Sequence, residues 1–137
     1  MNIEKSYGCI PLKKGADGYQ VFLVKLSSGN HWGFPKGHME KNETPIETAK
    51  RELFEETNLT VESILSFPQI IEKYVLLRNG VRTEKIVEYF VVEVAGEKKL
   101  LYPEILDGRW VSINEAKSLL TYDSSKMSLH TLIEYLL

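Results

Sequence analysis

Three glutamates, Glu52, Glu55 and Glu56, stand at positions i, i+3 and i+4. On an α-helix these positions share one face, and like charges so close cost roughly a few tenths of a kcal/mol per pair. They also fall near the negative end of the helix dipole, where acids are disfavoured. A hard divalent cation with oxygen ligands resolves both conflicts. A solvated acidic face is the plain alternative, and Glu-x-x-Glu-Glu taken alone favours it.

The surroundings change that balance. Thr44, Pro45 and Glu47 form a capping box with a proline at the first helical position, so a helix is predicted from Pro45 to about Thr57. Ile46, Ala49 and Leu53 give it a buried stripe. Asn58 falls where a helix end wants a left-handed residue. Before the helix, His31 to Asn42 carries Gly33, Pro35 and Gly37 and reads as an irregular loop.

Gly37, five residues, Glu43, seven residues, then Arg51-Glu52-Leu53-Phe54-Glu55-Glu56-Thr57-Asn58-Leu59 resembles the Nudix box over 23 consecutive positions, with Asn58 in place of a glycine. The resemblance implies a Nudix-type α/β/α sandwich with a central mixed β-sheet, and hydrolysis of phosphoanhydride bonds. It implies that Glu52, Glu55, Glu56 and the backbone carbonyl of Lys36 bind Mg2+ or Mn2+. Arg51 and Glu43 would pair and hold the loop against the helix. One box glutamate would deprotonate water. Glu104, six residues before Trp110, is the candidate for a further acid at the site, ahead of Asp107 and Glu88.

His31-Trp32-Gly33-Phe34-Pro35-Lys36-Gly37-His38 is similar to the corresponding segment of diadenosine tetraphosphate hydrolases. Lys36, His38 and His31 would then face a phosphate chain, and Trp32 would pack in the core. Lys85 and Tyr89 point to one face of a strand, and the resemblance makes them contacts to phosphate and substrate. Tyr122, between the last two helices, would wall an adenine site. The implied reaction is asymmetric hydrolysis of a dinucleoside tetraphosphate. Other expectations are a nucleoside triphosphate, a diphosphoinositol or other polyphosphate, an RNA 5' end, or a non-catalytic nucleotide-binding regulator. The complete set of box acids argues against the regulator.

The remaining chain supplies the frame. Tyr7–Leu12 and Tyr19–Leu26 read as paired strands across a turn at 13–18. One or two strands lie in Val61–Leu77, followed by the Asn79-Gly80 hairpin signal and a long strand over Lys85–Val94. A short strand at Arg109–Val111 leads to a second capping box, Ser112 and Glu115, opening a helix over Ala116–Leu120. A last helix is predicted from about Ser125 to Leu137, with Met127, Leu129, Leu132, Ile133 and Leu136 as its apolar face.

The 137 residues, 43% hydrophobic and 26% charged, suit one globular domain spanning the whole sequence. With net charge −2 and no basic run, duplex nucleic acid is not an expected partner. A small nucleotide is. Oligomeric state is not legible. Cys9 lies among apolar residues and reads as a buried small hydrophobe. No apolar run reaches the length of a membrane span, and the first residues lack the core of a signal peptide, so the expected location is the cytoplasm.

Overall fold

The computed structural model describes residues 2–137. Eight strands and three helices follow in the order β1 (Asn2–Gly15), β2 (Gly18–Leu26), β3 (His31–Gly33), β4 (Lys36–Gly37), α1 (Pro45–Thr57), β5 (Thr60–Ile64), β6 (Ile70–Arg78), β7 (Val81–Ala95), β8 (Ile105–Ser112), α2 (Ile113–Leu119) and α3 (Asp123–Leu136). A one-turn 3-10 helix, Ser28–Asn30, ends β2.

The sheet is mixed. Its main path runs β3-β2-β1-β7-β5, with β4 on β1, β6 on β7 and β8 on β2. The central pairing, β1 with β7, is parallel, from Asn2↔Thr83 to Pro11↔Val92. The β1–β2, β6–β7 and β2–β8 pairs are antiparallel.

Period-2 alternation sends apolar side chains to both faces. Ile10, Val21, Leu23, Val87 and Val91 pack with Leu120, Leu129 and Leu132 of the α2–α3 side. Cys9, Phe22, Val24, Phe90 and Val92 pack with Ala49 and Leu53 of α1. Helices therefore cover both faces of the sheet, as the α/β/α expectation requires.

The helix signals hold with adjustments. Thr44 and Glu47 form both halves of the capping box on α1, and Asn58 ends it at φ 68°. At α2, Ser112 accepts from the Glu115 N–H, which is one half of the expected box. Its own backbone is paired with Gln20 in the β2–β8 ladder, which competes for the other half.

Four expectations are corrected. The 31–42 loop contains two short strands, because the backbone of β3 pairs with β2 and that of β4 with β1. The Arg109–Val111 strand runs from Ile105 to Ser112, extended by its ladder with β2. The last helix opens at Asp123. Met127 is 70% exposed and leaves the apolar face of α3, since it borders the cleft described below. Among the described residues, no helix is long and apolar enough to cross a membrane.

Candidate active site

The carboxylate end of the site is organised by α1 and β4. Gly37 pairs with Tyr7 on β1, and Glu52 lies directly over it. A Cβ at position 37 would fall on the Glu52 carboxylate, so a larger residue there would push that carboxylate aside.

Arg51 ties the surrounding acids together. Its Nε donates to Glu43 at 2.6 Å, its Nη1 to Glu52 at 2.9 Å and to Glu55 at 3.2 Å, and its Nη2 to the His38 carbonyl at 2.8 Å. The expected Arg51–Glu43 clamp is thus formed, and it spans the loop and the helix. Arg51 first, then the Glu40 N–H, holds the Glu43 carboxyl down to about 2.

Glu56 is different. It is 7% exposed, and its Oε1 is buried without a hydrogen-bond partner. Burial, then the charge of Glu52, pushes its pKa up to about 8, and Glu104 acts in the same sense. Burial likewise raises Glu52. Two desolvated carboxylates, one with an orphan oxygen, are the donor chemistry that a hard cation relieves. The residues therefore fit a divalent metal held by Glu52, Glu55, Glu56 and the Lys36 carbonyl. Among the described residues, no three acid, His or Cys side chains already converge on one point. Glu52 and Glu55 are turned toward the Arg51 guanidinium instead.

Glu104 is exposed, just ahead of β8, with its carbonyl accepting from the Ser27 N–H at 2.9 Å. Its carboxylate is close enough to act on Glu56, which supports its candidacy. Asp107 is occupied by the Gly108 N–H and by Arg109. Glu88 lies on the opposite face of β7 from Lys85 and Tyr89.

Lys36 links this end to a cleft of about 830 Å3 lined by His31, Lys36, His38, Lys85 and Tyr122, five of the six expected substrate contacts. Lys85 is 4% exposed, and its Nζ lies 2.9 Å from His38 Nε2 and 3.7 Å from Glu4. Burial, then the charge of Lys36, brings Lys85 down to about 8. His38 is lowered by burial and then by Lys85, and His31 by burial and then by Lys36. The Tyr122 and His31 rings sit 4.8 Å apart.

For the sixth, Tyr89, base stacking is corrected: it is 1% exposed, packs edge-on against Phe34 and lines only a small recess beside the cleft. Burial, then the neighbouring Glu72 carboxylate, holds its phenol well above the usual range. Trp32 packs against the core as expected, with Arg109 5.0 Å from its ring.

Several cleft residues were missed by the sequence reading. Lys73, Tyr74 and Arg78 of β6 line the cleft, and Arg78 is held by Glu4 at 2.9 Å. The Asn79-Gly80 turn carried the signal. It fixes Arg78 opposite Val81, and the antiparallel register then puts Tyr74 opposite Lys85.

A NUDIX domain model matches residues 4–130. The chain belongs to the Nudix hydrolase family. Nudix hydrolases act on phosphoanhydride bonds and generally use divalent metal ions. The Mus musculus asymmetrical bis(5'-nucleosyl)-tetraphosphatase is 32% identical over 115 residues, covering 80% of this chain and 76% of that one. A Mycobacterium tuberculosis protein named as mutator protein MutT4 is 34% identical over 92 residues, 66% of this chain, which spans 36% of its length. Among solved Nudix structures, a C. elegans Ap4A hydrolase binary complex superposes with a TM-score of 0.78 at 23% identity, covering 96% of each chain. The Nudix domain of Shewanella oneidensis NrtR, complexed with ADP ribose, gives 0.78 at 14% identity, covering 100% of this chain and 90% of that one. At these identities the two likenesses speak to the Nudix fold.

Proposed function

We propose that this Nudix hydrolase cleaves a dinucleoside polyphosphate asymmetrically, in the simplest case diadenosine tetraphosphate to ATP and AMP. A water oxygen bonds to phosphorus as the phosphoanhydride P–O bond breaks. The leaving phosphate takes the electron pair, and the proton of water passes to a carboxylate of the box.

The observation that carries this reading is the continuity of the two ends through Lys36. Its backbone lies beside Glu56 and its side chain lines a cleft holding Lys73, Arg78 and Lys85 together with Tyr74 and Tyr122. Cations along the cleft suit a phosphate chain. The aromatic rings suit a base, since stacking accepts any π-face. Glu52, Glu55, Glu56, Glu104 and the Lys36 carbonyl would hold Mg2+ or Mn2+. When bound, such ions polarise phosphoryl oxygens and acidify water. Lys36, Lys85 and His38 orient the phosphates, while His31 and Tyr122 border the base. In this reading residues 1–137 act as one domain and meet a cytoplasmic nucleotide.

The test is turnover of a substrate panel in Mg2+ with product identification: dinucleoside polyphosphates, nucleoside triphosphates, nucleoside sugars, diphosphoinositols and capped RNA. Preferred turnover of diadenosine tetraphosphate to ATP and AMP is expected. Preference for any other member overturns the substrate assignment. Turnover of none overturns the hydrolase reading in favour of a nucleotide-binding one.

A further inference from the structure

The proposed substrate carries a nucleoside at each end, and the cleft receives one of them. Cleavage at the carboxylate end leaves the other nucleoside on the far side of Glu56 from the cleft. That side is bordered by residues 96–104, the link between β7 and β8.

The link is pinned to the site along its course. The Lys99 N–H donates to the Thr57 carbonyl at 2.8 Å, and the Leu101 N–H to the Glu56 carbonyl at 3.1 Å, both at the end of α1. The Ile105 N–H donates to the Leu101 carbonyl at 2.8 Å, which closes 101–105 into one turn. Within that turn the Glu104 carbonyl accepts from Ser27, the neighbour of Ser28 in the cleft wall. The turn therefore begins beside Glu56 and ends beside the cleft.

Tyr102 stands in this turn and is 78% exposed, the most exposed aromatic side chain among the described residues. Leu101 and Pro103 on either side are exposed as well, and Tyr102 does not border the cleft. Its backbone N–H is bonded to the Leu100 carbonyl at 3.0 Å, so the ring rises from a fixed backbone. A ring on a fixed mount gives contact area at a small cost in conformational entropy.

We propose that Tyr102 is the stacking platform for the second nucleobase of a dinucleoside polyphosphate, the base that leaves with the monophosphate. This inference rests on the dinucleoside reading above and assigns the half of the substrate that the cleft does not hold. Every base has a π-face, so the contact accepts any second base.

The experiment compares kcat/KM for diadenosine tetraphosphate with that for the 5-ribosyl ester of adenosine 5'-tetraphosphate. The ester keeps the phosphates, their charge and the leaving sugar phosphate, and lacks only the second base. The wild type is expected to prefer the dinucleoside about tenfold, within the range of one base–aromatic stack. Tyr102→Ala should bring the ratio to within about twofold, whereas Tyr102→Phe should keep it, because the ring remains. Equal rates on the two substrates in the wild type overturn the proposal. An unchanged ratio in Tyr102→Ala, or a ratio lost in Tyr102→Phe, does the same. A thermal melt checks that the variants fold, and Tyr102→Leu takes the place of Tyr102→Ala if that one does not. Absent turnover of both substrates by the wild type would overturn the dinucleoside reading itself, and this inference with it.

Discussion

Glu52 occupies the space that a side chain at position 37 would need, its carboxylate lying where a Cβ on Gly37 would be. The glycine of the box is therefore a spatial requirement of one carboxylate. Gly37→Ala is expected to displace Glu52 and lower kcat by about 10²-fold, as misplacement of about 1 Å does elsewhere. Kinetics with a metal titration check this. Unchanged kcat would separate Gly37 from the metal site.

Glu56→Gln should abolish metal-dependent turnover. The substitution removes a ligand charge from a site that is already desolvated, so the thermal midpoint of the metal-free protein should not fall. Near-normal activity would sink the assignment of Glu56 as a ligand.

On the proposed reading, Lys85 should give the substrate interaction a pH dependence. Its pKa is lowered to about 8, so it is charged below that pH and neutral above it. KM should be flat at neutral pH and rise above about pH 8. Lys85→Arg should stay flat through that range, because guanidinium does not titrate there. A KM–pH profile identical in both proteins would remove Lys85 from phosphate binding.

Tyr122 stands at the rim of the cleft with 47% exposure. Tyr122→Ala should raise KM for base-bearing substrates about tenfold or more, the range of base–aromatic stacking, with little change in kcat. An equal loss in kcat alone would point to a role in chemistry instead.

Asn58 closes α1 in the left-handed region, and its Nδ2 donates to the Glu97 carbonyl at 3.1 Å. Asn58→Ala should cost about 1–2 kcal/mol of stability, through left-handed strain and a lost bond, measured by urea unfolding. A midpoint equal to the wild type would show that the cap contributes nothing.

Legibility followed the range of the signals. The α1 caps, the Asn79-Gly80 turn and the Arg51–Glu43 clamp rest on local spacing, and the structure forms them. Tyr89 as a stacking ring was misjudged because period-2 alternation gives a face without giving its depth, and Phe34, in the link between β3 and β4, packs on the ring. Met127 was misjudged because helical spacing marks it as core, whereas the cleft leaves that part of α3 uncovered. Glu72 was invisible, since an acid followed by Lys73 on a strand reads as solvent-facing until α3 is laid over it.

The parallel β1–β7 ladder bears on how the chain acquires this site. Asn2 must find Thr83 and Pro11 must find Val92 before the centre of the sheet exists. Such long-range pairing carries a loop-closure cost that slows folding. The box helix can form early from its own caps, whereas Lys85 is not delivered beside His38 until β7 has docked. During synthesis, the box acids therefore precede Lys85. A nascent chain that stops short of residue 81 carries the box without the strand that completes the cleft.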